Sequence, residues 1–235
     1  ENLNRKNMIK TPEEILKILK AEAIGDMCFE HIIDYIRAGM TELQVSEEIE
    51  RVLRMLGAEA LAFPTICVSG EKTNLPHGEP GSKIIEEGDL LTMDFGAVYE
   101  GYCGDMTRTV GIGMLSDEQI DVYNVVLKAQ LAGLAACKAG VTCFDADKAA
   151  RDIIDGAGYG EYFIHTTGHG VGREVHEAPR LANNSEDTLQ VNMAVTVEPG
   201  IYIPGRFGVR IEDLAIITEF GIINTTRSEK ELIII

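Results

Sequence analysis

Apolar positions fall at helical spacing soon after the chain begins. Thr11 is followed by Pro12 and, three positions on, by Glu14, the pattern of a capping box with proline at the first helical position. Behind it, Ile15, Leu16, Ile18 and Leu19 recur as they would on a helix that buries one face. Ala38-Gly39-Met40-Thr41 breaks the pattern, and Thr41 with Gln44 opens a second helix running to about Leu56-Gly57. The plan then returns. Ser116-Asp117-Glu118-Gln119 is another capping box, Ala139-Gly140-Val141-Thr142 another break, and the helix after it closes near Gly156.

Strand-like runs repeat as well. Leu91-Thr92-Met93-Asp94-Phe95-Gly96 lines up with Val195-Thr196-Val197-Glu198-Pro199-Gly200, and each leads through a glycine-bearing turn to a strand with a second acid, Asp105 or Glu212. The offsets are 105 at the first cap, 101 at the helix break and 104 at the strand, which reads as duplication of a helix–helix–hairpin unit. The predicted fold is α+β, with related halves at about 11–113 and 116–221. Their hairpins would join one mainly antiparallel sheet, with helices covering one face.

Composition narrows the function. The chain has 235 residues, 45% hydrophobic and 25% charged, enough to build its own core and to exclude global disorder. Against 21 Lys and Arg stand 38 Asp and Glu, a net charge of −17, which excludes nucleic acid or an anionic membrane as main partner because both need a basic footprint. Cys28, Cys67, Cys103, Cys137 and Cys143 are an odd set without CxxC spacing, so they predict buried thiols in a reducing, cytoplasmic compartment. No apolar run reaches the roughly 18–20 residues of a membrane span, and no signal-peptide core follows the first residues.

The acids are the candidate chemistry. With a turn near Tyr99-Glu100-Gly101, Asp94 and Asp105 are expected opposite or nearly opposite each other across a hairpin, and Glu198 and Glu212 likewise across a turn near Pro204-Gly205-Arg206. Like charges facing across a ladder are destabilising, so four converging carboxylates require protons or cations. His169 lies between glycines in Gly168-His169-Gly170-Val171-Gly172, a setting expected to let something bound come close. One imidazole among four carboxylates suits Mn²⁺, Co²⁺, Fe²⁺ or Zn²⁺, and two such ions support hydrolysis. Asp94-Phe95-Gly96 matches a kinase tripeptide without the other kinase motifs, and His31 reads as structural.

Several stretches together resemble the pita-bread metallopeptidases, in the branch of Xaa-Pro dipeptidases (prolidases) and Xaa-Pro aminopeptidases. They are Phe63-Pro64-Thr65-Ile66, Leu75-Pro76-His77-Gly78, Met93 to Gly96, Gly101 to Thr109, Gly168 to Gly172, His176-Glu177-Ala178-Pro179-Arg180, Val197 to Tyr202 and Gly208 to Asp213. The resemblance implies five ligands to a dinuclear metal centre, Asp94, Asp105, His169, Glu198 and Glu212, with Asp105 and Glu212 bridging. It implies that His77 and His176 serve the scissile nitrogen and the oxyanion, that Glu198 carries the proton of the bridging water, and that Arg210 buttresses the site. Arg180 matches a substrate-carboxylate contact, and Tyr202 joins His77, His176 and Arg180 as a substrate-binding residue. The cofactors would be two divalent ions, Mn first, with Co, Zn or Fe as alternatives.

Gly104 departs from the pattern, standing where many relatives carry serine. Relatives also carry a further N-terminal domain that helps form a homodimer. Residues 1–10 are therefore expected to be the linker from such a domain, and 11–235 the catalytic domain. The expected activity is hydrolysis of the bond between an N-terminal residue and proline, on peptides with proline second. Methionine aminopeptidase activity is the alternative on the same fold, and a non-catalytic binding module the alternative of another class.

Overall fold

A computed structural model describes residues 5–235, so the first four residues of the expected linker lie outside it. Four helices carry the predicted signals: α1 (Pro12–Tyr35), α2 (Glu42–Met55), α3 (Asp117–Ala136) and α4 (Cys143–Gly156). Both parts of the capping box form at Thr11 with Glu14, Thr41 with Gln44 and Ser116 with Gln119. Each satisfies two amides that no helical carbonyl can reach. In α2 the buried apolar residues are Val45, Ile49, Val52 and Leu53, the spacing of one face. In α4 the corresponding face is Ala146, Ala150 and Ile154.

The strands pair antiparallel but do not form the single sheet that was expected. They fall into four ladders. One joins Ile66–Ser69, Leu90–Phe95 and Met106–Gly111; a second joins Ala60–Leu61, Ala97–Tyr99 and Tyr102–Cys103. A five-stranded ladder runs Ile222–Asn224, Asp213–Ile217, Ala194–Val197, Gly168–Gly170, Glu177–Leu181, and Gly200–Ile203 pairs with Phe207–Arg210 alone. The breaks fall where the acids sit. Asp105 lies between Cys103 and Met106, and Glu198-Pro199 and Ile211-Glu212 lie between ladders. Pro199 has no N–H to contribute to a ladder. Among the described residues one isolated β-bridge joins the halves, Thr107 with Glu212, beside hydrogen bonds such as Cys103 N to Gly172 O.

The facing pattern of the acids is also corrected. Asp94 pairs with Thr107 and Phe95 with Met106, so Asp105 is two positions removed from the residue opposite Asp94 and shares its face diagonally. Glu198 and Glu212 hold matching register positions between Val197↔Asp213 and Gly200↔Arg210, but no ladder pairs them: Glu198 N donates to Thr167 O, and Glu212 bridges Thr107.

A buried polar layer fastens the halves. The Arg108 guanidinium, 1% exposed, donates to the carbonyls of Thr107, Glu212, Ser228 and Glu229 and to the Asp213 carboxylate. Lys230 Nζ reaches the other Asp213 oxygen at 2.6 Å. Beyond it the chain lies along Gly111, which donates to Ile233 O and accepts from Ile235 N. At the other end Ile9 bridges Met193, and buried Lys10 pairs with Glu177 at 3.0 Å. All five cysteines are buried and free. Among the described residues no helix is long and apolar enough to cross a membrane.

Arg108→Met is expected to destabilise the metal-free protein by about 3 kcal/mol or more, because it strips the guanidinium donor from Asp213 Oδ1 and from the carbonyls of Glu212, Ser228 and Glu229. Urea denaturation followed by circular dichroism measures it; a change within about 0.5 kcal/mol, the range of ordinary surface substitutions, would refute the role.

Candidate metal centre

The interrupted strands direct their acids into one open cavity of about 830 Å³. Asp94, Asp105, His169, Glu198, Arg210 and Glu212 line it, as do His77, His176 and Arg180. Ligand atoms of Asp105, His169 and Glu212 lie within 4.8 Å of one another. His169 Nε2 stands 3.1 Å from Glu198 Oε1 and 3.6 Å from Asp105 Oδ2. Its Nδ1 is 3.1 Å from Gly170 O, which can only accept, so Nδ1 carries a proton and Nε2 faces the acids.

Arg210 is the guanidinium of the site. It donates to Asp94 Oδ2 at 2.6 Å, to Thr107 Oγ1 at 3.1 Å, and through one nitrogen to Pro76 O and the Tyr202 hydroxyl. Thr107 in turn donates to Glu212 Oε2, and Thr196 donates to Glu198 Oε1. The other oxygen of Asp94, Oδ1, is buried and meets no hydrogen-bond donor.

The electrostatics show what is missing. Burial pushes Asp105 and Glu212 well above the usual carboxylate range; Glu212 and Asp94 add to the rise of Asp105, and Glu198 and Asp94 to that of Glu212. Burial also raises Asp94, against the pull of Arg210. Glu198 goes the other way: burial opposes ionisation, but the hydrogen bond and charge of His169, with His165 and Arg210, hold it low. An orphaned buried oxygen, a carboxylate–imidazole donor set and surplus negative charge together fit divalent cations.

Two expectations change, for the glycines around His169 and for Tyr202, and one cavity residue is new. The glycines around His169 serve chain packing: a Cβ at Gly168 would lie 1.9 Å from Thr196 O, one at Gly170 2.3 Å from Ala178 O, and one at Gly172 2.6 Å from Glu177 Oε2. Tyr202, expected to bind substrate, is buried behind the cavity wall, where its hydroxyl accepts from Arg210. His165, which motif reading passed over, lines the cavity. Its Nδ1 faces Thr166 O at 2.8 Å, so Nε2 accepts the Tyr202 proton at 2.8 Å. The available signal was its position four residues before His169. His176 is exposed, with its ring 4.4 Å from that of His169, and His77 lies on the loop after Asn74. One wall comes from α2, through Leu43, Ser46, Glu47 and Glu50.

Fold and site together have the form of a metallopeptidase centre. The chain belongs to metallopeptidase family M24, whose profile matches residues 17–219. It is similar to the solved Xaa-Pro dipeptidase from Bacillus anthracis, with 52% identity and a TM-score of 0.96 over 97% of this chain and 64% of that one. It is similar to the X-Pro aminopeptidase of Thermotoga maritima, with 44% identity and a TM-score of 0.95 over 97% of this chain and 64% of that one. The Xaa-Pro dipeptidase of Pyrococcus furiosus is 46% identical over 226 residues, 96% of this chain and 65% of the relative. The fold is the pita-bread fold, and the chain spans less than two thirds of the length of each of these proteins.

Asp105→Asn is expected to raise the melting temperature of the metal-free protein. A carboxyl held above its unfolded pKa loses its contribution to stability as pH rises through the folded value, and the isosteric amide has no such loss. The same variant should abolish the rise in melting temperature that Mn²⁺ or Co²⁺ gives the parent protein. A lower metal-free melting temperature would contradict the charge argument.

Proposed function

We propose that this chain is the catalytic domain of a metal-dependent exopeptidase that hydrolyses the bond between an N-terminal residue and a following proline. The observation that carries the reading is the convergence of Asp94, Asp105, His169, Glu198 and Glu212 on one cavity, with Asp94 Oδ1 buried and unpartnered. Two divalent ions would be held by these five residues, Asp105 and Glu212 being shared, and would supply Lewis acidity and a water of lowered pKa. Manganese is the first candidate, with cobalt, zinc or iron as alternatives, since hard oxygen donors dominate the set.

The remaining steps belong to the protein. Thr196 holds Glu198 Oε1, which leaves Glu198 Oε2 to accept the proton of the attacking water and pass it towards the leaving nitrogen. His176 and His77 supply donors at the cavity wall, one for the developing oxyanion and one for the scissile nitrogen. Arg210 donates to Asp94 Oδ2, which favours its carboxylate form and fixes its direction. Arg180 receives the carboxylate of a short substrate. Similarity to proteins named Xaa-Pro dipeptidase and X-Pro aminopeptidase supports this reaction class.

The test is hydrolysis of Xaa-Pro dipeptides, Xaa-Pro tripeptides and Met-Ala-Ser by full-length protein stripped of metal and reconstituted with Mn²⁺, Co²⁺ or Zn²⁺. Metal-dependent Xaa-Pro cleavage is expected. Cleavage of Met-Ala-Ser alone would make the protein a methionine aminopeptidase, and inactivity with no metal bound would make it a binding module. Arg180→Met is expected to raise KM for an Xaa-Pro dipeptide by about ten- to a hundredfold, the loss of one charge-assisted hydrogen bond, with a smaller change in kcat. An unchanged KM would remove Arg180 from the substrate site.

A further inference from the structure

Asp105 differs from the other acids of the site in how it is held. Asp94, Glu198 and Glu212 each have one oxygen fixed by a donor: Arg210, Thr196 and Thr107 respectively. The Asp105 carboxylate has His169 Nε2 at 3.6 Å from Oδ2, beyond hydrogen-bond distance. Its place is therefore set by its backbone. That backbone lies in the gap between Cys103 and Met106, where its N–H has no ladder partner.

The partner comes from α1. Glu22, 1% exposed, accepts from Asp105 N through Oε1 at 2.5 Å. Through Oε2 it accepts from Thr226 Oγ1 at 2.8 Å. Thr226 Oγ1 accepts in turn from Leu214 N at 2.9 Å, two residues after Glu212. One buried carboxylate thus ties the backbone of Asp105, in the first half, to the strand that follows Glu212, in the second.

Gly104 leaves room for this contact. A Cβ there would lie 3.0 Å from Glu22 Oε1 and 3.0 Å from the carbonyl carbon of Ala21. A side chain at 104 would compete with Glu22 for the space beside Asp105, so the departure at 104 and the acid at 22 form one arrangement.

We propose that Glu22 is a positioning residue for the metal centre, acting through the Asp105 backbone in the room that Gly104 leaves. The proposal rests on the reading of Asp105 as a cation ligand. Bonds of this kind, behind a ligand, are worth about ten- to a hundredfold in metal affinity. A merely structural Glu22 would change folding stability and leave the affinity of the folded protein alone.

The experiment is Co²⁺ titration of full-length, metal-free protein by calorimetry, with the visible absorption spectrum of bound Co²⁺ as second readout. Glu22→Ala is expected to lower Co²⁺ affinity about ten- to a hundredfold and to alter the spectrum. Glu22→Gln, which keeps an oxygen acceptor for Asp105 N, should stay within about threefold of the parent. Wild-type affinity and spectrum in Glu22→Ala would overturn the proposal, as would equal losses in both variants. If Glu22→Ala does not fold, Gly104→Ala decides, because its methyl group presses on the same oxygen. Reduced Co²⁺ affinity is then expected, and unchanged affinity overturns the proposal. Parent protein that takes up no Co²⁺ overturns the metal-centre reading itself.

Discussion

Asp94, Asp105, Glu198 and Glu212 bring more negative charge into one buried cavity than Arg210 and His169 offset. Taking a carboxylate from water costs several kcal/mol even after relaxation, so no sequence assembles four of them without a compensating role. The architecture is organised around that cost. Asp94 lies in a strand and the other three acids lie directly beside strands, whose backbones cannot relax apart without breaking ladders. They occur where those ladders are interrupted, at Asp105, Glu198 and Glu212, where the pairing geometry no longer constrains the side chain. Arg210 and Thr107 then link acids from both halves in one hydrogen-bonded set.

The same constraint explains the buried polar residues behind the cavity. A site assembled from two halves works only if those halves keep register to within tenths of an ångström. Apolar packing is poor at that, since it is non-directional. Directional contacts do it here: the Thr107–Glu212 bridge, the Arg108 guanidinium on the carbonyls of Thr107 and Glu212, and Glu22 between Asp105 and Thr226. Apart from Arg108 to Thr107, these contacts reach across 83 to 204 residues of chain, and they lie next to the acids of the cavity.

Legibility in the sequence follows range. The helices were readable because a capping box is decided within four residues: Thr11 to Glu14, Thr41 to Gln44 and Ser116 to Gln119 all form as written. The five acid and imidazole positions were readable because the same strand–turn–strand plan occurs twice and because the motifs resemble a known family. What was not readable depends on contacts between distant segments. Glu22 is one polar residue on a helix until Asp105 folds against it. Tyr202 sits in a family motif, yet its hydroxyl faces Arg210 and His165 rather than the cavity. The glycines beside His169 looked like space for a ligand, whereas the space is filled by the Thr196 and Ala178 carbonyls of neighbouring strands. The diagonal placement of Asp105 relative to Asp94 is a matter of register, which turn residues alone do not settle.

The hydrogen bonds also indicate which atoms are left for cations. At Asp94, Arg210 takes Oδ2 and Oδ1 has no donor; at Glu212, Thr107 takes Oε2; at Glu198, Thr196 takes Oε1; at His169, Gly170 O takes the Nδ1 proton and Nε2 faces the acids. Each of these four side chains gives one atom to the protein and keeps another for the cavity. Such division fixes direction before any ion arrives, so little ordering cost remains at binding. Asp105 is the exception, orienting through its backbone and leaving its carboxylate uncommitted. A purely structural cluster of acids has no reason for this division, because unpartnered oxygens only add to its cost. The division is therefore a stronger argument for a cation site than the number of acids, and it requires no knowledge of which metal binds.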